Sequence, residues 1–239
     1  MSTASSRSAA VRVFVELVPG GAPLPVGAAA VIVDVLRATS TLTAALANGA
    51  GRVLPALSPA EAFALKRDHP TALVCGERDG RKVPGFDLGN SPLEVAPGRV
   101  AGRTLIFAST NGSVAMERAR GARRRILAAF VNASAVAAAL AHERDVVIVC
   151  AGKLGRFSLE DTGLAGWLCA RLEAGGAVLA GAAARLARTL APREAGEVMA
   201  LVQGSSHGRY LRALGADFAA DVEYCGRLDT LDRVFELRD

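Results

Sequence analysis

The chain has 239 residues, of which 51% are hydrophobic, 21% charged and 5% aromatic, and its 28 Lys and Arg against 23 Asp and Glu leave a formal net charge of +5. That apolar fraction excludes an intrinsically disordered chain, and a chain of this length buries roughly 70% of its unfolded surface, enough for a core without staples. The longest apolar runs, such as Val26–Val33, break at a charge well short of the ~18 residues that a spanning helix needs, so no membrane partner is expected.

Short apolar runs alternate with Ala- and Leu-rich helical stretches. Arg12–Leu17 predicts a first strand, and the continuous β-branched run Ala29–Val33 predicts a strand buried on both faces. Thr39–Asn48 reads as a helix closed by Gly49, and Val53–Ala56 as a short strand. Ser58–Arg67 is a helix that opens with an N-cap Ser, Pro at the first helical position and Glu61 at the capping-box position. A strand over Ala72–Cys75 precedes an irregular segment, Gly76–Pro97. Strands over Thr104–Ala108, Arg125–Ala128 and Asp145–Cys150 then alternate with helices over Gly112–Ala119, Asn132–Leu140 and Ser158–Ala174. The last third (Ala177–Leu190, Gly196–Leu201, Gly204–Leu214) is mainly helical, with a final short strand at Val222–Tyr224.

This alternation predicts βαβ units and a largely parallel sheet covered on both faces. No repeat and no Pro/Ser-rich linker divides the chain, so residues 11–239 are expected to form a single α/β domain behind a frayed tail, Met1–Ala10. The tail lacks the apolar stretch of a signal peptide, and the four cysteines show no CxxC spacing. Reduced, mostly buried thiols in a cytoplasmic protein are the expectation. The basic excess is almost all arginine and is interspersed, which leans toward anionic partners without a nucleic-acid footprint. Arg118–Arg125 lacks interleaved aromatics and reads as a solvated helix end.

In doubly wound folds ligands bind beyond the carboxyl ends of the strands. After the second predicted strand come Asp34, Arg37 and the hydroxyls of Thr39, Ser40 and Thr41, at a helix start suited to an anion. The nucleophile loop of haloacid dehalogenases needs a second Asp two residues on, and Leu36 stands there instead. After Cys75 comes a long loop rich in oxygen donors: Glu77, Asp79, Asp87, Asn90 and Ser91. Ser109-Thr110-Asn111-Gly112-Ser113 offers backbone amides to an oxyanion, although ordinary capping explains the same letters. After Cys150 come Lys153, which lacks a P-loop frame, and then Glu160 and Asp161 at a helix start where the dipole favours carboxylates anyway. His69, His142 and His207 lie apart without metal-ligand spacing and read as surface or loop residues. There is no Gly-x-Ser-x-Gly elbow.

Four polar strand ends predict one shared crevice. Carboxylates with few histidines favour a hard ion such as Mg²⁺, and cations with backbone amides favour a phosphoryl group. Residue chemistry alone therefore reaches metal-assisted chemistry on a small phosphorylated or otherwise anionic compound. A non-catalytic binding protein for an anionic metabolite, built on the same cleft, is the alternative.

The strings VIVDVLRATST (31–41), CGERDG (75–80), FDLGNSP (86–92), STNGS (109–113) and CAGKLGRFSLEDTGLAG (150–166) occur in this order, with a weaker echo at Asp221–Cys225. Together they resemble the 2-phosphosulfolactate phosphatase family, also called ComB-like, over roughly residues 11–235. The resemblance implies a three-layer α/β/α fold with a mostly parallel or mixed sheet. It implies Mg²⁺-dependent hydrolysis of (R)-2-phospho-3-sulfolactate to 3-sulfolactate and phosphate, as in the route toward coenzyme M. It further implies that Asp34, Glu77, Glu160 and Asp161 hold the ion. Arg37 and Lys153 would bind the phosphate and the sulfonate. Ser40, Asn90, Thr110 and the amides around Asn111-Gly112 would complete the substrate site. Asp34 could instead be a nucleophile that forms an aspartyl phosphate. Apolar helices in the last third would cover the sheet or build a homodimer interface.

Overall fold

The run of small and β-branched residues at Ala29–Val33 forms β2, and all five of its residues are buried. The structure, a computed structural model, describes residues 10–238; the expected tail lies outside the described residues except for Ala10, which is exposed. Side chains alternate across a strand, so one run serves two cores. Ala29, Val31 and Val33 face one core, and Ala28, Ala30 and Ile32 face the other. A run buried on both faces needs no polar positions, which is why it reads as continuous.

β2 pairs in parallel with β7 (Arg124–Ala128) and β8 (Asp145–Cys150), with Ile32 opposite Leu127 and Val149. Beyond β8 lie β1 (Arg12–Glu16) and β9 (Val178–Leu179), both parallel. Beyond β7 lies an antiparallel edge strand, β10 (Phe235–Glu236). The order of this six-stranded sheet is β10-β7-β2-β8-β1-β9. A second sheet has the order β3-β6-β4-β5, from β3 (Arg52–Pro55), β4 (Leu73–Arg78), β5 (Arg81–Lys82) and β6 (Thr104–Ala108). Its β3-β6-β4 part is parallel, and β4 and β5 form an antiparallel pair. The expected α/β fold with helix-covered mixed sheets is therefore present, with its strands divided between two sheets.

The two sheets share a core. Leu105 and Phe107 of β6 pack in the same cluster as Ile32 and Val149, together with Leu42 of α1 (Ala38–Ala47) and Met116 of α4 (Gly112–Arg118). The other face of the large sheet is covered by α5 (Ala133–Leu140), α6 (Leu159–Ala174), α7 (Gly181–Thr189) and α8 (Ala195–Gly204). The outer face of the small sheet is closed by α2 (Pro59–Asp68), whose Ser58 cap accepts the Glu61 N–H at 3.1 Å, as the sequence predicts. A short helix, α3 (Pro97–Val100), precedes β6.

The C-terminal third departs from expectation in two places. Val178–Leu179, at the head of the stretch 177–190 expected to be helical, form β9, and α7 starts only at Gly181. The helix expected over 204–214 is α9 (Ser206–Ala213), capped by Ser205, which accepts the Gly208 N–H at 2.9 Å. Val222–Tyr224 is not a strand; it lies within α10 (Ala216–Cys225). Asp221, Val222 and Cys225 are buried at helical spacing, a period too short to read from three residues. The last strand is β10 instead, carried by Phe235 against Leu127. All four cysteines are free and buried, as expected. Among the described residues no helix is long and apolar enough to cross a membrane.

Candidate active site

β2, β4, β6 and β8 deliver their carboxyl ends to one cavity of about 230 Å³. Asp34, Glu77, Thr110 and Lys153, one from each strand end, line it, together with Arg37, Asn90 and Asn111. Seven of the sequence-predicted residues thus meet.

Asp34 stands one residue beyond β2. The turn that carries it is closed on itself: the Thr39 N–H and hydroxyl donate to the Asp34 carbonyl at 3.0 and 2.8 Å, and the Asp34 N–H donates to Thr39 Oγ1 at 3.1 Å. The Ala38 N–H, at the start of α1, donates to Asp34 Oδ1 at 3.2 Å. Asp34 Oδ2 points at Gly112, where a Cβ would lie 2.7 Å from it and 2.4 Å from the Ala38 Cβ. Only glycine fits there. Burial pushes the Asp34 carboxyl up to about 7, with Glu77 and Glu160 adding repulsion against the Ala38 hydrogen bond and the Arg37 charge.

Glu77 joins the ends of β4 and β6. Its Oε1 accepts the Thr110 N–H at 2.7 Å, and its Oε2 accepts the Gly80 N–H at 2.8 Å. Asn111 joins β6 to β8, since its Oδ1 accepts the Leu154 N–H at 2.9 Å. Lys153 is half-buried on a tight turn whose ends exchange backbone hydrogen bonds with Arg156 at 2.8 and 3.0 Å. Its ammonium sits 4.2 Å from the centre of the Tyr210 ring. Burial holds that ammonium below the usual lysine range, against the pull of Glu160 and Glu77.

Arg37 reaches the cavity wall already engaged. It donates to Asp221 Oδ2 and, at 2.5 Å, to the Gly80 carbonyl, and it stacks over Phe218 at 5.1 Å. Ser91 donates to the other Asp221 oxygen at 2.5 Å. Two buried oxygens in the wall, Asn90 Oδ1 and Thr110 Oγ1, have no hydrogen-bond partner among the described residues.

Four expected residues lie behind the wall rather than in it. The Ser40 hydroxyl is spent on the Val35 carbonyl at 2.8 Å. Gly112 backs Asp34, as described. Asp161 accepts the Val35 N–H at 2.8 Å and the Gly152 N–H at 3.0 Å, so each carboxylate oxygen clamps a different strand-end loop. Burial, with Asp34 and Glu160 near, pushes its pKa well above the usual carboxylate range. Glu160 turns toward His207, whose Nδ1 lies 3.5 Å from Oε1. Burial would raise Glu160, but the His207 hydrogen bond and charge, with Ser158, outweigh it and hold it low.

His207 and Tyr210 of α9 also line the cavity, and the sequence reading of His207 as a surface or loop residue is corrected here. No spacing rule marks them. The local clue is the Ser205 cap, which starts a helix whose His207, Tyr210 and Leu211 reach the cavity.

Fold and cavity together define an α/β protein with a small polar cleft of mixed charge at the carboxyl ends of its parallel strands. The family model described as 2-phosphosulpholactate phosphatase matches residues 17–239. The chain is 45% identical over 209 residues to a probable 2-phosphosulfolactate phosphatase of Symbiobacterium thermophilum, covering 86% of this chain and 89% of that protein. It is 42% identical over 205 residues to the protein of the same description from Thermotoga petrophila, covering 86% and 87%. It is 43% identical over 223 residues to the one from Gloeobacter violaceus, covering 90% and 89%. The chain belongs to the 2-phosphosulpholactate phosphatase family, a family of phosphate-monoester hydrolases.

Proposed function

We propose that the chain hydrolyses the phosphate ester of a small acid with a second strong anion, (R)-2-phospho-3-sulfolactate or a close relative. The products are the hydroxy acid, of the kind used toward coenzyme M, and phosphate. The observation that carries this reading is the meeting of Asp34, Glu77, Thr110 and Lys153, from four strand ends, on one cavity of small-molecule size. Family membership supports the reaction class.

The wall fits Mg²⁺. Its donors are oxygens, and Asp34 and Glu77 repel one another. The unpartnered Asn90 Oδ1 is a pure acceptor, which suits a cation or its water rather than an anion. Among the described residues no three His, Cys, Asp or Glu side chains form a ready cage. Asp34, Glu77 and Asn90 would hold the ion. When bound, it would screen the phosphate charge and lower the pKa of a bound water.

The chain's own residues supply the rest. Phosphate-monoester hydrolysis is among the slowest uncatalysed reactions, and enzymes lower its barrier by up to ~20 kcal/mol or more. Positioning and charge neutralisation carry most of that. Lys153, a half-buried ammonium held over the Tyr210 ring on the cavity wall, neutralises one anion of the guest. Thr110 Oγ1 donates to a phosphoryl oxygen. Arg37 presents the positive face left over from its bonds to Asp221 and Gly80 to the second anion.

The test is phosphate release from 2-phosphosulfolactate with Mg²⁺, with and without EDTA. Metal-dependent release by the wild type, lost in a folded Asp34→Asn variant, is expected. Binding without release would make the chain a binding protein, and near-normal turnover of Asp34→Asn would remove that residue from the site. Trapping of a labelled phosphoenzyme would make Asp34 the nucleophile.

A further inference from the structure

His207 comes to the cavity from an unexpected direction. It is the second residue of α9, more than 40 positions after Glu160 in the chain, yet the two side chains meet. Glu160 is 3% exposed and His207 13%, so the pair is nearly dry and its outer member still opens on the cavity. With Nδ1 turned to Glu160, Nε2 is the ring nitrogen left for a guest. A carboxylate behind an imidazole fixes its orientation and tautomer. Of the other cations of the wall, Arg37 does not give up its proton, and Lys153 serves as the charge partner of a guest anion.

The reaction needs such a donor. An ester of an aliphatic alcohol leaves as a strongly basic alkoxide unless a proton reaches the ester oxygen as the bond breaks. We propose that His207 is the catalytic acid that protonates the leaving oxygen, and that Glu160 is its positioning residue. This rests on the phosphatase reading above. The bond between phosphorus and the ester oxygen breaks, its electron pair stays on that oxygen, and the oxygen takes the proton from His207 Nε2. The water whose oxygen ends in the product phosphate releases one proton, which restores the imidazolium. The balance is ester plus water to alcohol plus phosphate.

A tie that only latches α9 to α6 would affect all substrates alike, whereas an acid matters in proportion to the basicity of the leaving group. The experiment measures kcat and KM for wild type, His207→Gln and Glu160→Gln on two esters, 2-phosphosulfolactate and 4-nitrophenyl phosphate, with thermal melts to confirm folding. His207→Gln should lower kcat on the alkyl ester by about 10²- to 10⁴-fold. It should lower kcat on the aryl ester, whose phenolate leaves unaided, by less than about 10-fold. Glu160→Gln should show the same selective pattern with a smaller loss. Equal losses on both esters, or no loss on the alkyl ester, overturn the proposal. If the wild type does not accept the aryl ester, rescue of His207→Ala on the alkyl ester by added imidazole is the reading, and failure of rescue overturns the proposal. No turnover of either ester by the wild type removes the phosphatase reading itself, and this inference with it.

Discussion

The Arg37 guanidinium donates to the Asp221 carboxylate across 184 positions of sequence, and the two side chains are 4% and 3% exposed. The pair ties the turn after β2 to α10, and Ser91 adds the loop between β5 and α3 to the same carboxylate. An arginine held this way keeps its charge but gives up part of its freedom to bind a guest. Removing one partner of a buried pair leaves the other charged and unpaired, which costs about 3–5 kcal/mol. Asp221→Ala should lower the unfolding free energy in urea by that amount. Ser91→Ala removes only one acceptor's partner and should cost about 1–3 kcal/mol. A near-neutral Asp221→Ala would show that Arg37 finds another partner.

The Lys153 ammonium rests on the Tyr210 face, and the Tyr210 hydroxyl donates to the Asp79 carbonyl at 3.1 Å. A cation–π contact is worth about 0.5–2 kcal/mol, which corresponds to roughly 2- to 30-fold in affinity. Tyr210→Leu should raise KM within that range. Tyr210→Phe keeps the ring and should raise it less. Equal effects from both variants would place the weight on the Asp79 hydrogen bond instead.

Gly76 has a φ of +141°, and a Cβ there would lie 1.9 Å from the Ala108 carbonyl oxygen of β6. The glycine lets β4 and β6 close just before Glu77. Gly76→Ala should destabilise the fold by about 1–3 kcal/mol or more and should weaken phosphate release through displacement of Glu77. Thermal melts and a release assay check the two effects separately.

Far from the cavity, Glu143 accepts hydrogen bonds from Arg123 and, at 2.7 Å, from Arg124. Burial would raise its carboxyl, but the two arginines outweigh it and hold the pKa below the ordinary carboxylate value. A lowered folded pKa means stability that is present above the unfolded value and lost as pH falls through the folded one. Urea unfolding at about pH 6 and at about pH 3, on either side of the ordinary carboxylate range, should show a smaller pH-dependent loss for Glu143→Gln than for wild type. An unchanged loss would mean that other carboxylates carry the acid sensitivity.

Local chemistry made much of this protein legible. Ala29–Val33 and Asp145–Cys150 announce fully buried strands because nothing polar interrupts them, and the residues that follow them carry more charge than a core tolerates. Asp34 and Lys153 stand out for that reason, Glu77 and Thr110 as polar residues at the ends of two further strands, and their convergence follows from parallel strands that all end on one side. Packing decided what lies beyond sequence neighbourhood. Two sheets rather than one, the turn of Asp161 onto Val35 and Gly152, and the seating of Arg37 on Asp221 depend on contacts between segments far apart in the chain. His207 and Tyr210 carry no local signature, because a helix shows its period but not which neighbour it will meet. Only the docking of α9 over the strand ends puts an imidazole into the cavity, since desolvating it there takes the buried carboxylate of Glu160 that another helix provides.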